Sequence, residues 1–86
     1  MEKHWFFMCK KLHKILKERI KGGIFISMDD GVLTVNINAG RGIRYRRNIT
    51  EVPRDIDVEH LAEQITLDYK MFLNNRFFID QRREEE

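Results

Sequence analysis

Asp30-Gly31 sits between two apolar, β-branched runs, Ile24–Met28 and Val32–Ile37. An Asp-Gly pair is among the strongest local signals for a two-residue hairpin, because both turn positions need positive φ. A two-residue loop also sets the register. If Asp29 pairs with Val32, then Met28 opposes Leu33, Ile26 opposes Val35 and Ile24 opposes Ile37. All six side chains then lie on one face of the sheet. Such a face is not stable against water and must be covered by another layer.

A second turn is expected at Asn38-Ala39-Gly40-Arg41-Gly42. Pairing Ile37 with Ile43 across it sets Val35 against Tyr45 and gives a third strand with Ile43, Tyr45 and Ile49 inward. Arg47 falls on the same face, near its edge. The other face then carries Phe25 opposite Asn36, and Asn36 opposite Arg44.

The covering layer is legible on both sides of the strands. Residues 3–21 have helical periodicity, with Trp5, Met8, Cys9, Leu12, Ile15, Leu16 and Ile20 on one face. Lys10, Lys14, Lys17 and Lys21 form a stripe on the opposite face, within roughly 60° of arc. Gly22-Gly23 ends the helix. Pro53 marks the exit from the sheet, and Asp57 is a good N-cap, with Ile56 and Leu61 placed as a hydrophobic staple. Val58, Leu61, Ala62, Ile65, Tyr69, Phe72 and Leu73 make the apolar face of a second helix, which either continues or breaks after Asn74-Asn75. The expected architecture is a two-layer α+β fold of order α-β-β-β-α. In it, a three-stranded antiparallel meander has both helices on one face. Residues 1–80 form a single compact domain, and 81–86 a charged flexible tail.

The charge is segregated along the chain. Residues 1–50 hold 11 Lys and Arg against 4 Asp and Glu, whereas residues 51–86 hold 5 against 10. This asymmetry points to an acidic partner, to self-association, or to pairing of the arginines with Glu59, Glu63 or Asp68 of the same chain. The single cysteine, Cys9, excludes an internal disulfide and fits a reducing compartment. The apolar run Trp5–Cys9 is closed by Lys10 and Lys11, too short for a signal peptide or a membrane span. A cytoplasmic protein with no membrane partner is expected.

Three surfaces stand out. Phe25, Arg41, Arg44 and Arg46, together with Lys10, Lys14, Lys17 and Lys21, offer stacking and phosphate contacts to a nucleic acid or an acidic partner. Leu67 and Met71 lie opposite the core stripe of the second helix, as His60 does. With Phe77 and Phe78 they read as a protein interface, and a homodimer is expected. Phe7 lies near the lysine stripe. Cys9 and His13, four apart and with His4 nearby, are too few for a metal site, and Ser27, the only serine, has no base placed beside it by local spacing. No catalytic residue, metal or cofactor is expected.

The element order resembles that of the double-stranded-RNA-binding domain, but Asp55-Ile56-Asp57-Val58-Glu59-His60 stands where that family carries a phosphate-gripping lysine cluster. It also resembles small RNA-cleaving toxins, whose catalytic histidine at the first strand is replaced here by Gly22-Gly23-Ile24-Phe25. Over Gly31–Asn75, with the acidic-start helix Asp57-Val58-Glu59-His60-Leu61-Ala62-Glu63-Gln64, the chain is similar to small proteins of Gram-positive phages and prophages, some of them CRISPR inhibitors. That resemblance implies a non-enzymatic accessory or inhibitor protein acting by protein–protein contact. The alternative is a nucleic-acid-binding protein using the arginine-rich third strand and the lysine face of the first helix.

Overall fold

A computed structural model describes residues 3–85, with side chains over 3–75. The order is α1 Lys3–Arg19, β1 Gly23–Asp29, β2 Val32–Gly40, β3 Ile43–Thr50 and α2 Val58–Glu85. The strands form one antiparallel sheet of order β1-β2-β3. Both helices lie on the same face of it, as the one-sided apolar pattern requires.

The first hairpin has the register set by Asp30-Gly31: Met28, Ile26 and Ile24 oppose Leu33, Val35 and Ile37. Asp30 and Gly31 both take positive φ, 50° and 74°. The second hairpin differs from the expectation by two residues. Ile37 opposes Tyr45, not Ile43, and Val35 opposes Arg47, not Tyr45. The cause is a tighter turn. Arg41 and Gly42 alone make the loop, at φ 54° and 77°, and β2 runs on to Gly40 through an irregularity at Ala39. The Asn38 side chain accepts the Gly40 N–H at 3.0 Å and stabilises that kink. A shift of two leaves every side chain on its expected face. It changes only neighbours: Asn36 opposes Arg46, and Arg44 moves one row along to oppose Asn38.

The core is one layer thick. Leu33, Val35 and Ile37 of the central strand are fully buried, with Leu12 and Leu16 of α1 and Ile65 of α2. α1 lies over β1, where His13 Nε2 meets the Ile24 carbonyl at 3.2 Å. α2 lies over β3, where the Tyr45 ring makes edge contacts with Tyr69 and Phe72. α1 ends at Arg19, two residues earlier than its periodicity suggests. Lys21 therefore belongs to the connection rather than to the helix, although the Ile20 N–H still bonds the Leu16 carbonyl. Gly22 takes φ 135°, and a Cβ there would sit 2.5 Å from the Asn38 carbonyl oxygen. The turn from helix to strand is thus closed against any larger residue.

α2 begins as its cap dictates. Asp57 Oδ1 accepts the N–H groups of Glu59 and His60 at 3.1 and 3.3 Å, and half-buried Ile56 precedes buried Leu61. Thr66 is buried in this helix because its hydroxyl donates back to the Ala62 carbonyl at 2.7 Å. The helix passes through Asn74-Asn75 without a break and is 28 residues long, about 42 Å at 1.5 Å per residue. That length accounts for the extended shape, 51 × 25 × 20 Å. The side chains of Phe77 and Phe78 lie outside the described side chains; of the charged segment 81–86 expected as a flexible tail, residues 81–85 are the end of α2 and Glu86 lies outside the described residues.

Leu33 belongs to the single core that both helices share with the sheet and has no exposed surface. Leu33→Ala is expected to cost about 2–5 kcal/mol, read as a lowered urea midpoint, against under about 0.5 kcal/mol for a change at exposed Ser27.

Candidate interaction surfaces

The outward face of the sheet carries Phe25 and Ser27 on β1, Val32, Thr34 and Asn36 on β2, and Arg44, Arg46 and Asn48 on β3. Phe25 is 65% exposed. Its ring leans along the strand, close enough that a Cβ on Gly23 would touch it at 3.4 Å. Phe25, Asn36, Asn38 and Arg44 line a shallow depression of about 500 Å³. An aromatic face, two amides and a guanidinium meet there, so stacking, edge hydrogen bonds and a forked anion contact are available together. The Thr34 hydroxyl donates to Asn48 Oδ1 at 3.1 Å one row further on. Arg46 stands across from Asn36, and Arg41 occupies the tip of the second turn.

The lysines do not join this site. Lys10, Lys14 and Lys17 line the outer side of α1, on the opposite layer from the open sheet face, and with Phe7 and Lys11 they border a second depression. The residues named together from the sequence therefore separate into two basic surfaces. Phe6 and Phe7 are 53% and 61% exposed at the start of α1. Phe6 lies inside an apolar run in which periodicity assigns Trp5, Met8 and Cys9 to the core, so no local signal in the sequence marks it as exposed.

The outer side of α2 is a third surface. Leu67 and Met71 are 56% and 63% exposed. His60, Gln64, Leu67, Met71 and Asn74 are all exposed and follow one another at intervals of 4, 3, 4 and 3 residues. That is the spacing of a helix–helix seam, with polar residues at both ends and apolar ones between. Gln64 Nε2 and His60 Nε2 are 3.2 Å apart along it. The interval pattern is present in the sequence, but Gln64 and Asn74 are polar and carry no apolar signal that would mark them as part of a seam.

The charge split resolves in part within the chain. Asp68 of α2 accepts the Tyr45 hydroxyl, and Arg47 Nη1 stands 3.8 Å from the same carboxylate. This contact joins the basic third strand to the acidic second helix. Arg41, Arg44 and Arg46 have no ion-pair partner among the described residues. Arg54 lies 6.0 Å from the centre of the Trp5 ring. His13 is engaged by the Ile24 carbonyl, and Cys9 is buried, with its thiol pKa pushed up by burial. Among the described residues no three His, Cys, Asp or Glu side chains gather into a metal-holding group. No helix among them is long and apolar enough to cross a membrane. Neither a protein-family model, nor a curated protein, nor a solved structure matches this chain.

Burial, followed by the Asp68 carboxylate, pushes the Tyr45 phenol up from 10.0 to about 12. The fold favours the neutral phenol. Its stabilisation is complete below pH 10 and is lost as pH rises toward 12. Tyr45→Phe is expected to cost about 1 kcal/mol at neutral pH, since Asp68 is half exposed and water replaces part of the lost bond. The variant should also flatten the fall in urea midpoint between pH 9 and 11.5, leaving the smaller contribution of Tyr69, whose phenol is likewise raised by burial.

Proposed function

We propose that this chain is a small non-enzymatic binding protein that acts by protein–protein contact and self-associates through the outer side of α2. The observation that carries this reading is the exposed Leu67–Met71 pair at the centre of a regularly spaced seam on the face of α2 that the core does not use. A domain of this size gains burial by pairing that face with a copy of itself. Leu67 and Met71 each recover about 1–1.5 kcal/mol on burial of their exposed portions. Four such side chains across a two-fold axis support a weak dimer, because association costs several kcal/mol first. An accessory or inhibitor role in the cytoplasm, of the kind carried by the small phage and prophage proteins that the chain resembles, accords with a domain built of binding surfaces.

Size-exclusion chromatography with light scattering is expected to show a dimer at high micromolar concentration. The paired change Leu67→Glu with Met71→Glu should return a monomer with an unchanged circular dichroism spectrum. A monomeric wild type at that concentration removes the self-association.

A second reading is favoured by the Phe25, Asn36, Asn38 and Arg44 depression, which suits an unpaired base beside a phosphate. Fluorescence anisotropy with labelled single-stranded oligonucleotides at low salt is the measurement. Phe25→Ala and Arg44→Ala are each expected to weaken binding by about 1–3 kcal/mol, and Lys14→Ala on the far layer by much less. Absence of binding at low salt disposes of this reading.

A further inference from the structure

The sheet ends in two very different edges. β3 carries Arg44, Arg46 and Arg47, and charged side chains of this kind blunt an edge against pairing. β1, Gly23–Asp29, has no Lys, Arg or Pro and pairs with β2 in unbroken register over all seven residues. We propose that the free edge of β1 accepts an extended, acidic polypeptide segment as a fourth strand. The proposal shares with the preceding section the premise of a binding protein, but it uses a different surface, so either can fail alone.

The backbone groups that would make the added ladder can be named. Asp29 and Val32 flank a two-residue turn and form a pair bonded to each other. Alternation along an antiparallel pair then directs the N–H and C=O of Ser27 and Phe25 toward β2, and those of Met28, Ile26 and Ile24 outward. The His13 contact agrees independently, because the Ile24 carbonyl that meets its Nε2 at 3.2 Å must face away from β2. His13 thereby occupies one outward acceptor. The outward groups of Ile26 and Met28 have no partner among the described residues.

The flank of this edge sets the chemistry of the guest. Phe6, Lys10, His13 and Lys17 lie along one side of α1 at intervals of 4, 3 and 4 residues. Phe6, Cys9, Lys10 and His13 meet Ile26 around a depression of about 480 Å³ beside the strand. A fourth strand would turn alternate side chains toward this rail, where carboxylates meet Lys10 and Lys17 and an apolar residue meets Phe6. Its other face would lie beside exposed Phe25. A second copy of β1 is a poor guest: it brings its own lysine rail into contact with this one and supplies only Asp29 in exchange. A nucleic acid has no amide ladder to offer Ile26 and Met28.

The test uses the full chain and a labelled synthetic peptide that alternates valine or threonine with glutamate, alongside its counterpart with lysine for glutamate. The acidic peptide is expected to bind at micromolar concentration and the basic one at least tenfold more weakly. Amide hydrogen exchange by nuclear magnetic resonance should slow at Ile26 and Met28 when the acidic peptide is added. Lys10→Glu with Lys17→Glu, both at exposed positions, should weaken binding at least tenfold without loss of fold. Ile26→Pro removes an outward N–H that β2 does not use, and should abolish binding. The proposal is overturned if the acidic peptide does not bind, if both peptides bind alike, or if the variants bind as the wild type does. It is also overturned if the two amides are protected only by an oligonucleotide, or by raising the protein concentration with no peptide present.

Discussion

Leu33, Val35 and Ile37 alternate along the central strand with essentially no exposed surface, and the rest of the molecule is arranged to keep them so. Three strands are too few to close on themselves, so one face of the sheet must be roofed by something else. Two helices do this. α1 comes from before the sheet and lies over β1, and α2 comes from after it and lies over β3. Each makes a polar contact with the strand beneath it: His13 with the Ile24 carbonyl, and Asp68 with Tyr45 and Arg47. The apolar layer supplies the driving force. The polar contacts fix where along the strand each helix sits.

This arrangement uses one face of each element and leaves the others exposed. The open sheet face, the outer sides of both helices and the β1 edge are what remain for function. They differ in kind. The open face combines Phe25 with Arg44 and two amides. The outer side of α2 is an apolar centre between polar ends, and the outer side of α1 is a lysine surface with two exposed phenylalanines at its start. The β1 edge offers backbone instead of side chains.

Charge illustrates how topology redistributes a sequence property. The basic first half and acidic second half are separate in the chain, but β3 and α2 are adjacent in space. Arg47 therefore meets Asp68, while Arg44 and Arg46, at odd spacings from it on the same strand, point to the other side of the sheet and meet no carboxylate among the described residues. Neighbours in sequence thus have opposite roles, one inside the fold's own electrostatics and two outside it. Lys10 and Arg44, grouped by sign in the sequence, lie on opposite layers for the same reason.

Alone, the sequence determined the elements, their faces and the first hairpin. Asp30-Gly31 admits one turn geometry, side-chain period distinguishes helix from strand, and Asp57 caps where a cap is needed; all are local effects. It also determined the face of each residue in the second hairpin, because parity survives a shift of two. It did not determine the pairing there: several glycine-containing turns fit Asn38–Gly42, and only the packed sheet selects Arg41-Gly42 with the kink held by Asn38. Burial of Thr66 and the end of α1 at Arg19 are likewise not marked by the apolar periodicity of the two helices. The grouping of surface residues into sites was a tertiary decision throughout. Which side chains share a surface depends on which layer each element joins, and no spacing along the chain encodes that.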